Sequence, residues 1–400
     1  MDRQIYPASI TGGDFAEGGS VLEHRFGQGD PYTLGVEEEY MLLDGETFDL
    51  VQHIDTVLGA MAGHEFEARV KPELMQSVVE IATPVCRTAS DVFDELRQLR
   101  GFVTTTAREK GLRVGSAGTH PFSLFERQRI TARDRYRNLV DQLQYIARRE
   151  LIFGLHVHVA VDDPEKAVQV VNGLLPHLAP LLALSANSPF WRGEPTGLAS
   201  TRSAVFAAFS RSGPPPRFRD YSDFAAVVGQ LEKTGCIADY THIWWDIRLH
   251  PRLGTVEFRV CDAVTRVEDA VALTAYCQAL TKYYCEQHDR GEEIPSYHRI
   301  LTTENKWLAA RYGLEAPLMD LATGRRNRVP AAQLVRRALR AVEPHAKELG
   351  SERELEGVRE ILSRGNGADR QLRTWNANRD VVEVARELAD ATEARGGGGG

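Results

Sequence analysis

No part of this sequence offers a broad basic field. Its 48 lysines and arginines are outnumbered by 56 aspartates and glutamates, a formal net charge of -8. That balance argues against a nucleic-acid-binding protein. Cysteine is scarce and scattered: Cys86, Cys236, Cys261, Cys277 and Cys285 include no CxxC pair. Such a pattern suits reduced thiols better than a disulfide framework or a structural zinc site. No long apolar run is expected to span a bilayer, and the N-terminus has no signal-peptide h-region, so the expected location is cytoplasmic, with no membrane partner. There is no GxxxxGK[ST] loop and no GxGxxG after a strand. A nucleotide bound here would therefore be held mainly by metals and arginines. Neither an internal repeat nor a mid-chain linker is present.

What is there supports a real core: 42% of the 400 residues are hydrophobic, enough for one large domain or two ordinary ones. Residues 1–30 show little periodicity and read as a loose arm. Residues 393–400 read as a flexible glycine-rich tail. Between them, residues 31–392 mix strands and helices as one unit. Thr88 to Lys110 has a helical stripe of Val92, Leu96, Leu99 and Val103, with Thr88 and Asp91 able to form a capping box. Thr131 to Glu150 reads as a second helix boxed by Thr131 and Asp134, and Thr265 with Glu268 as the start of a long helix to about Arg290. Strand pairs joined by short turns, with helices grouped apart, predict an α+β fold around an antiparallel sheet.

Four acidic or basic clusters sit on or beside predicted strands. The stretch Tyr32–Asp44 reads YTLGVEEEYMLLD. Side chains alternate along a strand, so Glu37 and Glu39 share one face and Glu38 takes the other. Two carboxylates about 7 Å apart on one face repel each other. Either that face is wet, or it is a shelf for a hard cation such as Mg²⁺ or Mn²⁺. Glu73 and Glu80 flank the run LMQSVV, and Glu80 stands between Val79 and Ile81 in a segment that otherwise wants burial. A buried carboxylate needs a partner, usually a metal or an arginine. In GLHVHV, His156 and His158 share a face; in GTVEFRV, Glu257 and Arg259 do. The latter pair fits a structural salt bridge, or an arginine that neutralises a transferring phosphoryl group. Oxygen-dominated ligands favour Mg²⁺ or Mn²⁺ over Zn²⁺. Arg133, Arg135, Arg202, Arg211 and Arg248 are available for phosphates or substrate.

In this order and spacing GVEEEY, the PEL-to-VE segment, GLHVHV and GTVEFRVCD resemble the glutamate–cysteine ligase type 2 family of carboxylate–amine ligases. The resemblance runs from about Tyr32 to about Asp390 and includes ENKWLAARYG at 304–313 and GADRQL at 367–372. It implies a glutamine-synthetase-like curved antiparallel sheet that forms an active-site funnel backed by helices. It also implies Glu37, Glu39, Glu73, Glu80, His156 and Glu257 as metal ligands and Arg259 at the γ-phosphate. His158, Arg135, Arg202 and Arg248 would serve ATP or substrate. The implied reaction joins a carboxylate, glutamate in the family's name, to an amine, cysteine in that name, through an acyl phosphate, using ATP and Mg²⁺ or Mn²⁺. The Trp191–Phe218 segment is a candidate lid. Two alternatives stay open: a metal-dependent amidohydrolase, which should show alternating βα units, and a non-catalytic ligase-like binding protein. The partners expected are small molecules; the sequence leaves homo-oligomerisation open.

Overall fold

The computed structural model describes residues 22–323 and 327–394. The polyglycine run 396–400 and the first 21 residues of the expected arm lie outside the described residues. The rest of that arm is not loose. Phe26 is buried, Arg25 N–H donates to Pro251 O at 2.9 Å, and the Tyr221 hydroxyl donates to Leu22 O at 3.0 Å.

Seven strands form the central sheet: β1 (Leu34–Asp44), β2 (Val70–Pro72), β3 (Val78–Ala82), β4 (Leu112–Gly115), β5 (Gly154–Ala160), β6 (Ile247–His250) and β7 (Thr255–Asp262). Their order is β6-β7-β5-β1-β3-β2, with β4 pairing the far end of β1, and every pairing is antiparallel. The fold is α+β, as expected, and the alternating βα units of an amidohydrolase are absent from this sheet.

Period-two alternation gives the sheet two different faces. Leu34, Val36, Tyr40 and Leu42 of β1, Leu155, Val157 and Val159 of β5, and Val256, Phe258 and Val260 of β7 enter the larger core. The helix Ala89–Glu109 packs there through Val92, Leu96, Leu99 and Val103, all fully buried, and its Thr88–Asp91 capping box is formed. Glu38 falls on this dry face. It is satisfied by Arg100, whose Nε donates to Glu38 Oε2 at 2.9 Å and whose Nη1 donates to Thr265 O at 2.7 Å, and by the Tyr40 hydroxyl. On the other face, Met41 and Leu43 join a second, smaller core with Leu74, Met75 and the helix Val381–Glu393.

Three local expectations are corrected. The segment 131–150 is two helices, Asp134–Leu143 and Tyr145–Arg148, broken at Gln144 with φ 51°. Its expected box is absent because Thr131 Oγ1 donates to Glu73 O at 2.6 Å. Thr265 likewise does not cap the helix Val267–Asp289; its hydroxyl donates to Ser116 O at 2.8 Å. Finally, Pro164–Ser185 is 22 residues of helical chain, long and apolar enough to cross a membrane by length and composition, with Pro176 and Pro180 accommodated. It is a core element here, with 83% of its most apolar window buried.

Candidate active site

The register of the sheet sets the candidate residues in rungs. Arg248 on β6 lies opposite Glu257 on β7, which lies opposite His158 on β5. His156 lies opposite Glu37 on β1. Glu39 lies opposite Glu80 on β3, and Glu80 opposite Lys71 on β2. Directly opposed residues project to the same face, so the sheet itself collects these groups. All of them line a cavity of about 540 Å³. Glu73, in the turn between β2 and β3, is held beside them by the Thr131 hydroxyl on its carbonyl and by Leu74 N–H on its carboxylate at 3.1 Å.

Two triads result. Glu39, Glu73 and Glu80 bring one oxygen each within 4.8 Å of one another. Glu37, His158 and Glu257 do the same with two oxygens and a ring nitrogen. In the first triad the charges are crowded away from water. Burial, then the Glu73 charge, pushes Glu39 up to about 7. Burial, then its carboxylate neighbours, holds Glu80 well above the ordinary range, and burial raises Glu73. Like charges in a dry site favour a shared proton or a bound cation.

The second triad is organised by hydrogen bonds. His158 Nδ1 lies 3.0 Å from Thr255 Oγ1, which leaves Nε2 facing the cluster, 4.0 Å from Glu257 Oε1. Burial alone would raise Glu257, but Arg248 and Arg259 hold it well below the usual carboxylate range. Arg248 reaches one of its oxygens at 2.7 Å and Arg259 the other at 2.5 Å. Glu37 is drawn down to about 2 despite burial, by the 3.3 Å hydrogen bond with His156 and the charge of His158. Burial and Arg259 keep His156 neutral, down at about 4, so its contact with Glu37 is a hydrogen bond rather than an ion pair.

Arg259 sits where β7 carries a bulge against β5, between Phe258 and Cys261. Bulges re-aim side chains beside active sites. Its Nε lies buried without a hydrogen-bond partner, as does the Nε of Arg202. Arg202 reaches the cavity from the helix Thr201–Phe206 and packs over Gly154, where a Cβ would come within 2.6 Å of its Nη2 and 2.9 Å of His156 Nε2. Only glycine leaves room for that guanidinium. Two unsatisfied arginine donors beside two ligand triads suit a polyanion held together with its cations.

A family model described as glutamate–cysteine ligase family 2 matches residues 33–391. The chain belongs to this family. A provisionally named glutamate–cysteine ligase 2-1 of Rubrobacter xylanophilus is 45% identical over 361 residues, 90% of this chain and 95% of the relative. A provisionally named glutamate–cysteine ligase 2 of Solibacter usitatus is 43% identical over 361 residues, 90% and 93% of the two chains. Among solved structures, the glutamate–cysteine ligase of Francisella tularensis in complex with AMP aligns with a TM-score of 0.66 at 12% identity, covering 91% of this chain and 90% of that one. A bifunctional glutathione synthetase of Pasteurella multocida aligns at 0.63 and 16% identity, covering 91% and 52%. At these identities the structural likeness concerns the fold.

In this member of the glutamate–cysteine ligase family, one cavity gathers Glu37, Glu39, Glu73, Glu80, His156, His158, Glu257 and Arg259, together with Arg133, Arg135, Arg202 and Arg248. Arg211 is not among them; its Nε donates to His242 O at 2.9 Å and its guanidinium lies over Trp244. Of the histidines, His158 rather than His156 completes a triad. The segment Trp191–Phe218 contributes Arg202, Phe206 and Phe209 to the cavity wall. Among the wall residues that sequence reasoning missed are His250 and Glu150. His250 follows the β6 alternation from Arg248 and was legible as its same-face neighbour. Glu150, at the end of the charged run Arg148-Arg149-Glu150, carried no signal that set it apart from a solvated surface residue.

Proposed function

We propose that this chain is an ATP-dependent carboxylate–amine ligase that forms an amide through an acyl phosphate, with L-glutamate as carboxylate and L-cysteine as amine. The names of the family's members support that substrate pair. The single observation that carries the reaction class is the pairing of two ligand triads with Arg259 on one wall of one cavity. The donor sets fit hard divalent cations: Glu39, Glu73 and Glu80 would hold one, and Glu37, His158 and Glu257 another, with His156 supporting Glu37. When bound, Mg²⁺ or Mn²⁺ would supply charge neutralisation for the triphosphate.

The protein's own groups account for the rest. A carboxylate is a poor acyl donor, so its oxygen first takes the γ-phosphoryl group of ATP. Arg259, braced by Glu257, faces the charge that spreads over that group in transfer, and Arg202 offers a second guanidinium. The amine then attacks the acyl phosphate, and amide, ADP and phosphate leave. The buried wall keeps water from competing with the amine. Free cysteines and the use of ATP accord with a cytoplasmic setting.

The test is ADP release with Mg²⁺ across a panel of carboxylates and amines, with hydroxylamine as a trap. One ADP per amide, and a hydroxamate with hydroxylamine, are expected. Amide hydrolysis without nucleotide, or ATP affinity unchanged by EDTA, would overturn the proposal.

A further inference from the structure

Glu150 stands on the cavity wall outside both triads. It follows the short helix Tyr145–Arg148 and lines the cavity close to Arg202 and Arg259. Its Oε2 is shielded from solvent and has no hydrogen-bond partner. Among the described residues no cation lies within salt-bridge distance of it, although the charges of Arg202, Arg149 and Arg259 all reach it. A carboxylate oxygen buried in this way is costly to leave bare, so an orphaned one on the wall of a substrate-sized cavity points to a donor that arrives with a ligand. The cavity already holds arginine for anionic groups, in Arg133, Arg135 and Arg202. Among the described residues that line it, Glu150 is the one carboxylate outside the triads, and so the one anionic acceptor left for a cationic nitrogen.

We propose that Glu150 receives the ammonium group of the amine substrate and takes its proton before attack, making Glu150 a catalytic residue of the ligation half-reaction. This rests on the ligase reading above. The amine arrives as R–NH₃⁺ and gives one proton to a Glu150 carboxylate oxygen. The freed nitrogen lone pair forms the C–N bond at the acyl carbon. The C–O bond to phosphate breaks, and its electron pair leaves with the phosphate. The second nitrogen proton goes to that phosphate, and Glu150 returns its own to solvent. The environment suits the exchange: burial, opposed by Arg202 and reinforced by Glu39, pushes the Glu150 carboxyl up to about 8. That lifts it from the ordinary carboxylate range toward that of amines, which narrows the mismatch with an ammonium donor.

The experiment compares wild type, Glu150→Gln and Glu150→Asp with ATP, Mg²⁺ and L-glutamate, using L-cysteine or hydroxylamine as nucleophile. Hydroxylamine is unprotonated at neutral pH and needs no base to free its lone pair. Glu150→Gln is expected to lose about 100-fold or more in amide formation, the scale of a missing general base, and less than tenfold in hydroxamate formation. Glu150→Asp should recover part of the amide rate. The assignment is overturned if amide and hydroxamate rates fall together, or if neither falls. If Glu150→Gln does not fold, the same ratio measured on Glu150→Asp decides, because a shortened base must slow amide more than hydroxamate. Wild type that makes no hydroxamate overturns the ligase reading itself, and the role of Glu150 falls with it.

Discussion

Glu257 is held by two arginines, and they are not equivalent. Arg248 is committed to the scaffold: it reaches Glu257 at 2.7 Å and donates to Thr241 O and Ile243 O at 3.0 and 2.9 Å. Arg259 touches Glu257 through Nη1 and keeps a buried Nε unsatisfied. Removing Arg259 therefore leaves Glu257 paired through Arg248. Arg259→Ala is expected to melt close to wild type with Mg²⁺ and ATP present, while ADP release falls roughly 10³-fold, the scale of an arginine acting on a phosphoryl group. Paired melting curves and rates check this. A large loss of melting temperature, with activity that tracks the folded fraction, would assign Arg259 to the scaffold. At this scale the sequence was legible wherever strand alternation applied. Glu37 with Glu39, His156 with His158, and Glu257 with Arg259 each share a face as the period demands. Glu150 was not legible, because its orphaned oxygen arises only from where the chain after the helix Tyr145–Arg148 meets the cavity wall.

Elements were legible where a local rule decided them and not where a distant partner competed. Thr88 caps its helix because nothing else claims its hydroxyl; Thr131 and Thr265 are claimed by the carbonyls of Glu73 and Ser116. The motifs ENKWLAARYG and GADRQL hold elements together rather than line the cavity. Lys306 pairs with buried Asp246 at 2.6 Å, and Gln371 donates to Asn187 O at 2.8 Å. Gly367 packs so close to Asn187 that a Cβ would come within 2.1 Å of its Oδ1. The tie between β1 and the helix Ala89–Glu109 is Glu38 with Arg100, 62 residues apart and both buried. Alternation put Glu38 on the dry face, but sequence could not name its partner. Truncating Glu38 to Ala strands a buried guanidinium, so a loss of about 3–5 kcal/mol is expected. Glu38→Ala with Arg100→Ala should cost less than the sum of the single changes. Urea denaturation of the three variants measures both. A Glu38→Ala cost below about 1 kcal/mol would mean that the pair is wet and carries little.

The described residues form two cores sharing one sheet, and the helix Val381–Glu393 completes the smaller. Val384, Ala385, Leu388 and Ala389 are buried there with Met41 and Leu43 of β1 and with Leu74 and Met75, the neighbours of Glu73. Glu393 adds ion pairs to Arg113 at 2.8 Å and to Arg108 at 2.6 Å. Residues from opposite ends of the described chain thus support the same carboxylate triad, and we propose that 31–392 behave as one cooperative domain. Ending the chain at Asp380 would expose the cavity-side face of β1. Losing two large and two small buried side chains costs roughly 5 kcal/mol or more at about 1.5–3 kcal/mol for each large one, before the ion pairs are counted. That approaches the 5–15 kcal/mol by which folded proteins usually exceed their unfolded states. The truncated chain is therefore expected to lose its cooperative melting transition, and with it Mg²⁺-dependent ATP binding, because the turn that carries Glu73 is packed on the same cluster. Circular dichroism melting and calorimetric titration of the truncated and full-length chains measure the two losses. A truncated chain that melts within a few degrees of full length and still binds ATP with Mg²⁺ would show that the sheet holds its carboxylates without the C-terminal helix, and that the smaller core is dispensable to the site.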